Sequence, residues 1–345
     1  MKVIFFGVFS ILPIIIYGQV VWPSPEIGQM YNNANNYIER GNYKDAVTTC
    51  KQAILLAPDL PVFTNQLATV YYLSGNFNEA ENTLNKLKPS DCDTQCYRLL
   101  AASQVAQTKF KQSEKTINTG IDRFPHSGPL YHQKGIIYKL ELNEEDALDS
   151  WLDGMEKDPG FAPDYYDAAL SSFNSGQVLW GLIYSEIFLA MNHDTIADSS
   201  IKGKMFEGYK TLFENIAESS SSKTSKTVKK QLQPEFEVAV LKAYSMLTPV
   251  VSDGISAENL VMLRTRFIMN WFDEHPDKYP FPLFNYMNDL ITTGHFEIYN
   301  EWLFGAAENR EQYDAWNKFH EGDIDRFKVW KAANPLVPAS FTYRK

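Results

Sequence analysis

The sequence predicts an all-α protein: a helix-turn-helix solenoid of about five repeats, followed by an aromatic-rich helical C-terminal domain. Three observations carry that expectation. Small residues recur at Ala34, Ala68, Ala101, Gly135 and Ala169, at intervals of 34, 33, 34 and 34. A second small series, Ala46, Ala80, Ser113, Ala147 and Gly181, follows twelve positions behind. Two small positions in each period mark where two helix backbones approach closely, the signature of stacked helix pairs. The third observation is punctuation. Arg40-Gly41-Asn42, Ser74-Gly75-Asn76 and Asn174-Ser175-Gly176 supply turn residues between the helices of a pair. Pro58, Pro125 and Pro159 follow the second helices, and proline cannot continue a helix.

Taken in order, the chain opens with Lys2 and an apolar stretch over 3–17 that ends at Gly18. This reads as an export signal over 1–18, cleaved before Gln19 and too short to be a membrane span. Export to a periplasm or to the secreted space is the expectation, with peripheral attachment to the envelope compatible with it. The repeats follow at 27–60, 61–93, 94–127, 128–161 and 162–195, each an A helix and a B helix. In the third and fourth units the turn is written Thr108-Lys109 and Leu142-Asn143, a weaker signal than glycine.

The pattern inside each unit resembles the tetratricopeptide repeat family. Ala34, Tyr37, Tyr43, Ala46, Ala53 and Pro58 match it in the first unit. Leu67, Ala68, Tyr71, Phe77 and Ala80 match in the second, and Tyr131, Gly135, Tyr138, Ala147, Trp151 and Pro159 in the fourth. The fifth is the most degraded, with His193 in the proline slot. The resemblance implies a concave face lined by the A helices, on which a peptide or helix of another protein is held. Its groove-facing slots fall on Tyr31, Asn35 and Ile38; Asn65, Thr69 and Tyr72; Arg98; His132 and Lys139; Tyr166 and Phe173. Arg98, His132 and Lys139 are candidates to pair with acidic groups of a partner. Some members of the family grip a C-terminal carboxylate with Lys, Asn and Arg. Here Tyr31 stands where that clamp wants lysine, although Asn35 is in place, so the clamp is rejected.

Cys92 and Cys96 flank Asp93-Thr94-Gln95 at an inter-repeat turn. A disulfide is sterically feasible between them, and two separate thiols are the alternative. Cys50 falls on a core position. With no histidine beside the cysteines, a zinc site is not expected.

Residues 196–233 read as a helix followed by a Ser/Lys-rich linker, with Lys223, Lys226, Lys229 and Lys230 as its basic cluster. From 234 to 345 the helical pattern returns without the repeat. Helices are expected around Phe236–Leu247, from Ser256 to Phe272, and over 281–293, 295–307 and 309–333. Trp302, Phe304, Tyr313, Trp316, Phe319, Phe327 and Trp330 crowd this region. They read as the core of a small helical domain; an aromatic cleft for glycan is the alternative.

The formal net charge of −10 argues against a nucleic-acid backbone as partner. His275, His295 and His320 each sit beside an acid but lack the spacing that places two metal ligands on one helix face. No phosphate-cradling glycine loop, dinucleotide fingerprint or glycine-framed serine appears. The sequence therefore points to a non-enzymatic scaffold with no cofactor, no metal and no later membrane span.

Overall fold

The computed structural model describes residues 22–191, 196–221, 234–275 and 278–339. The export signal, the basic linker cluster and His193 lie outside the described residues. The described chain is helical throughout and forms two compact units that meet in sequence between Lys109 and Phe110.

The first unit holds α1 (Pro25–Glu39), α2 (Tyr43–Leu56), α3 (Pro61–Leu73), α4 (Phe77–Leu84) and α5 (Thr94–Ala106). Proline opens α1 and α3, where a missing N–H is harmless. Ser24 caps α1 by accepting from the Ile27 N–H, and Asn42 caps α2 by accepting from the Asp45 N–H. Ala34, Ala68 and Ala101 have no exposed surface, as close helix approach demands. Ala34, Cys50 and Leu67 form one small core, and Ile27, Ala53, Ala57 and Phe63 form another.

The second pair is irregular. Helix α4 ends after eight residues, and the chain passes through a 3₁₀ turn at Pro89–Asp91. A Cys92–Cys96 disulfide then leads into α5, whose N-terminus is capped by Asp93 accepting from the Cys96 N–H at 2.8 Å. Glu81 of α4 compensates for the short helix. Its buried carboxylate accepts from Gln104 at 3.2 Å, Gln107 at 2.9 Å and Lys109 at 2.7 Å, tying α4 to the end of α5.

The second unit continues with α6 (Phe110–Arg123), α7 (Gly128–Leu140), α8 (Glu144–Lys157), α9 (Ala162–Asn174), α10 (Val178–Ala190) and α11 (Ile196–Ser221). The small positions again have visible causes. A Cβ on Gly135 would collide with the Trp151 indole, and one on Gly181 would lie 2.6 Å from the Phe173 ring. Gly203 stands 34 residues after Ala169 on α11, yet nothing lies within 4 Å of where its Cβ would be. The close pairing that explains the ladder stops there.

The turns inside the repeats repeat one backbone conformation. Gly41, Gly75, Thr108, Leu142 and Gly176 all have positive φ, at 69°, 78°, 60°, 62° and 76°. The weak turn signals at Thr108 and Leu142 thus conceal the same left-handed geometry, held there by residues with a Cβ.

Beyond α11 come α12 (Glu235–Ser245), α13 (Ala257–Glu274), α14 (Pro282–Thr292), α15 (Phe296–Asn300), α16 (Ala306–Glu308), α17 (Arg310–Phe319) and α18 (Glu321–Ala333). Ser256 and Asn259 make a reciprocal capping box at the start of α13. A π turn at Glu301–Gly305 joins α15 to α16. The single helix expected over 309–333 is two helices. His320 leaves helical geometry, with its Nδ1 2.9 Å from the Trp316 carbonyl and its ring stacked on Trp316 at 4.2 Å.

One hydrophobic core runs from Ala147 to Leu336, so the fourth and fifth pairs and the C-terminal helices are built as one body. Every residue of α10 is buried. Phe236 packs among Trp271, Phe281 and Phe284, and Tyr244 stacks on Phe267 at 4.3 Å. The Leu336 N–H donates to the Ala190 carbonyl at 3.1 Å, fastening the C-terminal segment to the end of α10. At the centre of this packing Arg264 of α13 pairs with Glu186 of α10 and donates to Asn300 of α15. Phe296, Tyr299 and Phe304 surround the guanidinium. Burial, the largest single influence, works against its charge, but the Glu186 carboxylate together with Tyr209, Tyr299 and Tyr244 outweighs it and holds the guanidinium pKa above its ordinary value.

Candidate functional site

The row implied by the repeat pattern lies on α1, α3 and α5 of the first unit and on α7 and α9 of the second. Of its eleven residues only Asn65 is buried; the other ten are half-buried. Each ladder residue stands three positions after a member of the row, one flank over on the same helix, so the row borders the sealed seam and is neither core nor fully solvated surface.

In the first unit, Tyr31 packs against Trp22 at 5.2 Å and meets Phe63 edge-on at 6.2 Å. The Asn35 Oδ1 accepts from Gln66 Nε2 at 2.7 Å, and the same amide group reaches the Tyr31 carbonyl. This fixes the α1–α3 spacing beneath the row. Thr69 turns its hydroxyl back to the Asn65 carbonyl at 2.9 Å. Tyr72 meets Phe77 edge-on at 5.3 Å, and burial raises its phenol pKa. Ile38 presents an apolar, half-exposed edge near the end of α1.

Two polar groups in this unit stand out. Arg98 donates from Nη1 to the neutral Gln95 Oε1 at 3.1 Å, while its buried Nε–H finds no acceptor. Burial lowers its pKa. Asn65, 9% exposed, has a buried Oδ1 with no donor.

The second unit handles its cations differently. His132 Nε2 and Lys139 Nζ lie 2.9 and 3.2 Å from the two carboxylate oxygens of Asp167. Burial alone would raise the Asp167 carboxyl, but His132 and Lys139 together pull it below the ordinary range. The sequence reading offered both cations to a partner's acids and missed Asp167, which already faces them. A signal was present: Asp167 sits one repeat after His132, displaced by a single residue. Tyr166 packs on Phe188 at 5.2 Å, and Phe173 fills the space left by Gly181 and Gly208.

Beside this cluster lies Asp164, fully buried with both carboxylate oxygens unpartnered. Burial, followed by the charges of Asp167 and Asp158, pushes its pKa well above the ordinary value. A Cβ on Gly154 would collide with its Oδ2, so glycine at that place admits the carboxyl group.

The aromatic C-terminal region offers less open surface. Trp302 stacks on Tyr299 and lies under Lys202 Nζ at 3.4 Å; Trp316 is stacked between Tyr313 and His320; Trp330 meets Tyr286 and His295. All three indoles are half-buried in such contacts. Among the described residues no group of three or more His, Cys, Asp or Glu side chains is placed to hold a metal ion. Nor is any described helix long and apolar enough to cross a membrane.

Comparison with known proteins agrees with the repeat geometry. A family model for the tetratricopeptide repeat matches residues 37–103. The helix pairs, the small-residue ladder and the left-handed turns are those of a tetratricopeptide-type repeat fold. No curated protein matches the chain. Among solved structures, a tetratricopeptide-repeat protein of Thermus thermophilus is similar at 16% identity and a TM-score of 0.43, over 53% of this chain and 98% of that one. One from Parabacteroides merdae is similar at 13% identity and a TM-score of 0.41, over 76% and 97%. YrrB, a tetratricopeptide-repeat protein with an unusual peptide-binding site, is similar at 16% identity and a TM-score of 0.35, over 49% and 87%.

Proposed function

We propose that this protein is a non-enzymatic scaffold that holds a peptide segment or helix of another protein against the A-helix row. The observation that carries the reading is the condition of the row itself. Ten of its residues stay half-buried, and they include Tyr31, Tyr72, Tyr166 and Phe173. Large rings fixed at helix surfaces gain by covering, and partner contacts concentrate on aromatic and arginine side chains of this kind.

The protein works outside the cytoplasm in this reading. Support comes from the N-terminal sequence, with Lys2, the apolar stretch and Gly18, and from the Cys92–Cys96 disulfide, which suits an oxidising compartment. N-terminal sequencing of the protein recovered from outside the cytoplasm tests this; a chain that still begins at Met1 inside the cell would overturn it.

The binding role is tested by a photo-cross-linking residue placed at Tyr72, with Lys115 on the exposed side of α6 as the control. A cross-linked partner at Tyr72 and none at Lys115 is expected. The triple variant Tyr31→Ala, Tyr72→Ala, Tyr166→Ala should no longer capture that partner. Retention of the partner by a folded triple variant removes the row from the function.

A further inference from the structure

We propose that the end of α10 is a docking site for an extended Leu-x-Pro segment of another protein, and that residues 336–338 of this chain occupy it as a displaceable competitor. The site lies on the second helix of the fifth pair, apart from the A-helix row.

Helix α18 stops at Ala333, Asn334 leaves helical geometry, and Pro335 bars a return to it. From there residues 335–339 run without regular secondary structure, and their exposure alternates. Leu336 and Pro338 are buried, whereas Pro335, Val337 and Ala339 are exposed. A period of two marks an extended segment with one edge against the protein and the other in solvent. Leu336 enters the hydrophobic core, and its N–H donates to the Ala190 carbonyl at 3.1 Å. Among the described residues this is the one hydrogen bond that the backbone of 335–339 makes to the rest of the chain. The side chains of the segment carry no polar atom. Its attachment is therefore one N–H and two apolar side chains.

Elsewhere the ends of second helices are answered locally. The Ala57, Phe124 and Asp158 carbonyls, just past α2, α6 and α8, accept from the N–H three residues on, at Leu60, Ser127 and Phe161. At α10 the N–H comes from a distant segment that chain connectivity does not dictate. Carbonyls at a helix end have no partner inside the helix, so any segment bringing an N–H and a fitting apolar side chain can serve. A segment held by so few contacts opens well below the free energy of global unfolding. Opening uncovers both the Ala190 carbonyl and the space that Leu336 fills.

The contacts define the ligand. The residue that donates to Ala190 must keep its N–H, which excludes proline there, and must bring an apolar side chain. Two residues on, the site takes a proline ring, which needs no partner for a missing N–H. Proline also holds the backbone extended in advance and so lowers the ordering cost of docking.

The test uses the full chain and a fluorescein-labelled peptide, Asn-Pro-Leu-Val-Pro-Ala, read by fluorescence anisotropy. Leu336→Asp should release the segment and bind the peptide about tenfold more tightly than the wild type. That is the discount when a competitor fills about nine tenths of a site. Val337→Asp, on the exposed edge, should bind as the wild type does. The same peptide with Asp in place of Leu should bind none of the three. Leu336→Asp should also melt at a lower temperature than the wild type. Saturating peptide should restore most of that loss, because a ligand of the folded state stabilises it. Hydrogen exchange of the wild type needs no variant: saturating peptide should strip protection from the Leu336 amide.

Equal peptide binding by the wild type and Leu336→Asp overturns the proposal, as does absence of binding to both. A Leu336 amide that keeps its protection under saturating peptide makes the segment a fixed part of the fold. Binding of the Asp-substituted peptide removes the Leu-x-Pro pattern. A wild type that dimerises with rising concentration, while Leu336→Asp stays monomeric, gives the site to a second copy and overturns the foreign partner. A cross-link at Tyr72 reads the A-helix row and is untouched by any of these results.

Discussion

Arg264 and Glu186, 78 residues apart in sequence, form an ion pair in which the arginine has no exposed surface and the glutamate almost none. The pair joins the last helix of the fifth repeat to the C-terminal helices. Asn300, on a third element, accepts from Nη1, while the buried Nε–H is left without an acceptor.

Removing one partner leaves the other charged and buried. Arg264→Met or Glu186→Gln should each lower stability by about 3–5 kcal/mol. The double variant Arg264→Met, Glu186→Leu should recover much of the loss, because no buried charge then remains. Urea unfolding of the four proteins measures the coupling, and additive losses would contradict it.

Leu142 and Thr108 hold a left-handed conformation that glycine adopts at the equivalent turns. A side chain in that region costs about 1 kcal/mol or more relative to glycine. Leu142 is also 88% exposed, so its removal sacrifices little packing. Leu142→Gly and Thr108→Gly should therefore each raise the midpoint of thermal unfolding, and Gly75→Ala should lower it.

Asp164 predicts a pH dependence whose sign follows from its direction of shift. Its folded pKa lies above the unfolded value of about 3.9, so the native state binds the extra proton between the two. Stability from this group is full below the unfolded value and is lost as pH rises through the folded one. Asp164→Asn keeps the shape without the ionisation. The variant should gain on the wild type as pH rises from about 4 to about 8, the range above the unfolded carboxyl value. Chemical denaturation at each pH measures this, and a constant difference would refute the assignment.

Cys50 is the free thiol of a chain with three cysteines. Burial pushes its pKa up to about 12, and its Sγ lies 3.6 Å from Gln66 Oε1. Thiolate is the reactive form. A colourimetric thiol reagent should find no reactive group in the native protein and one per chain after unfolding without reductant.

Features set by local geometry were legible in the sequence, and those set by long separations were not. Gly135 had to be small because Trp151 covers it, and the chain shows both residues at fixed spacing. Gly41, Gly75 and Gly176 announce their turns because positive φ selects glycine; Thr108 and Leu142 carry the same turn under strain and so speak faintly. In the row, the slots for Tyr31 and Tyr72 follow from the period, whereas Asp167 depends on a pairing across a repeat. The meeting of Arg264 with Glu186 leaves no periodic trace, since neither residue has a sequence neighbour that reports it. The break at His320 is equally silent, resting on one ring stacked on Trp316.

The complete enclosure of α10 has a consequence for the way this architecture can change. Stacked repeats ordinarily gain or lose units as interchangeable modules, because each touches only its neighbours. Here the fifth pair serves as the keystone of the C-terminal body. Deleting that pair, or ending the chain after it, would strip the cover from an entire helix of apolar side chains. Lengthening or shortening of the array is thus confined to pairs that precede it, and the C-terminal half acts as an anchor that fixes one end of the series.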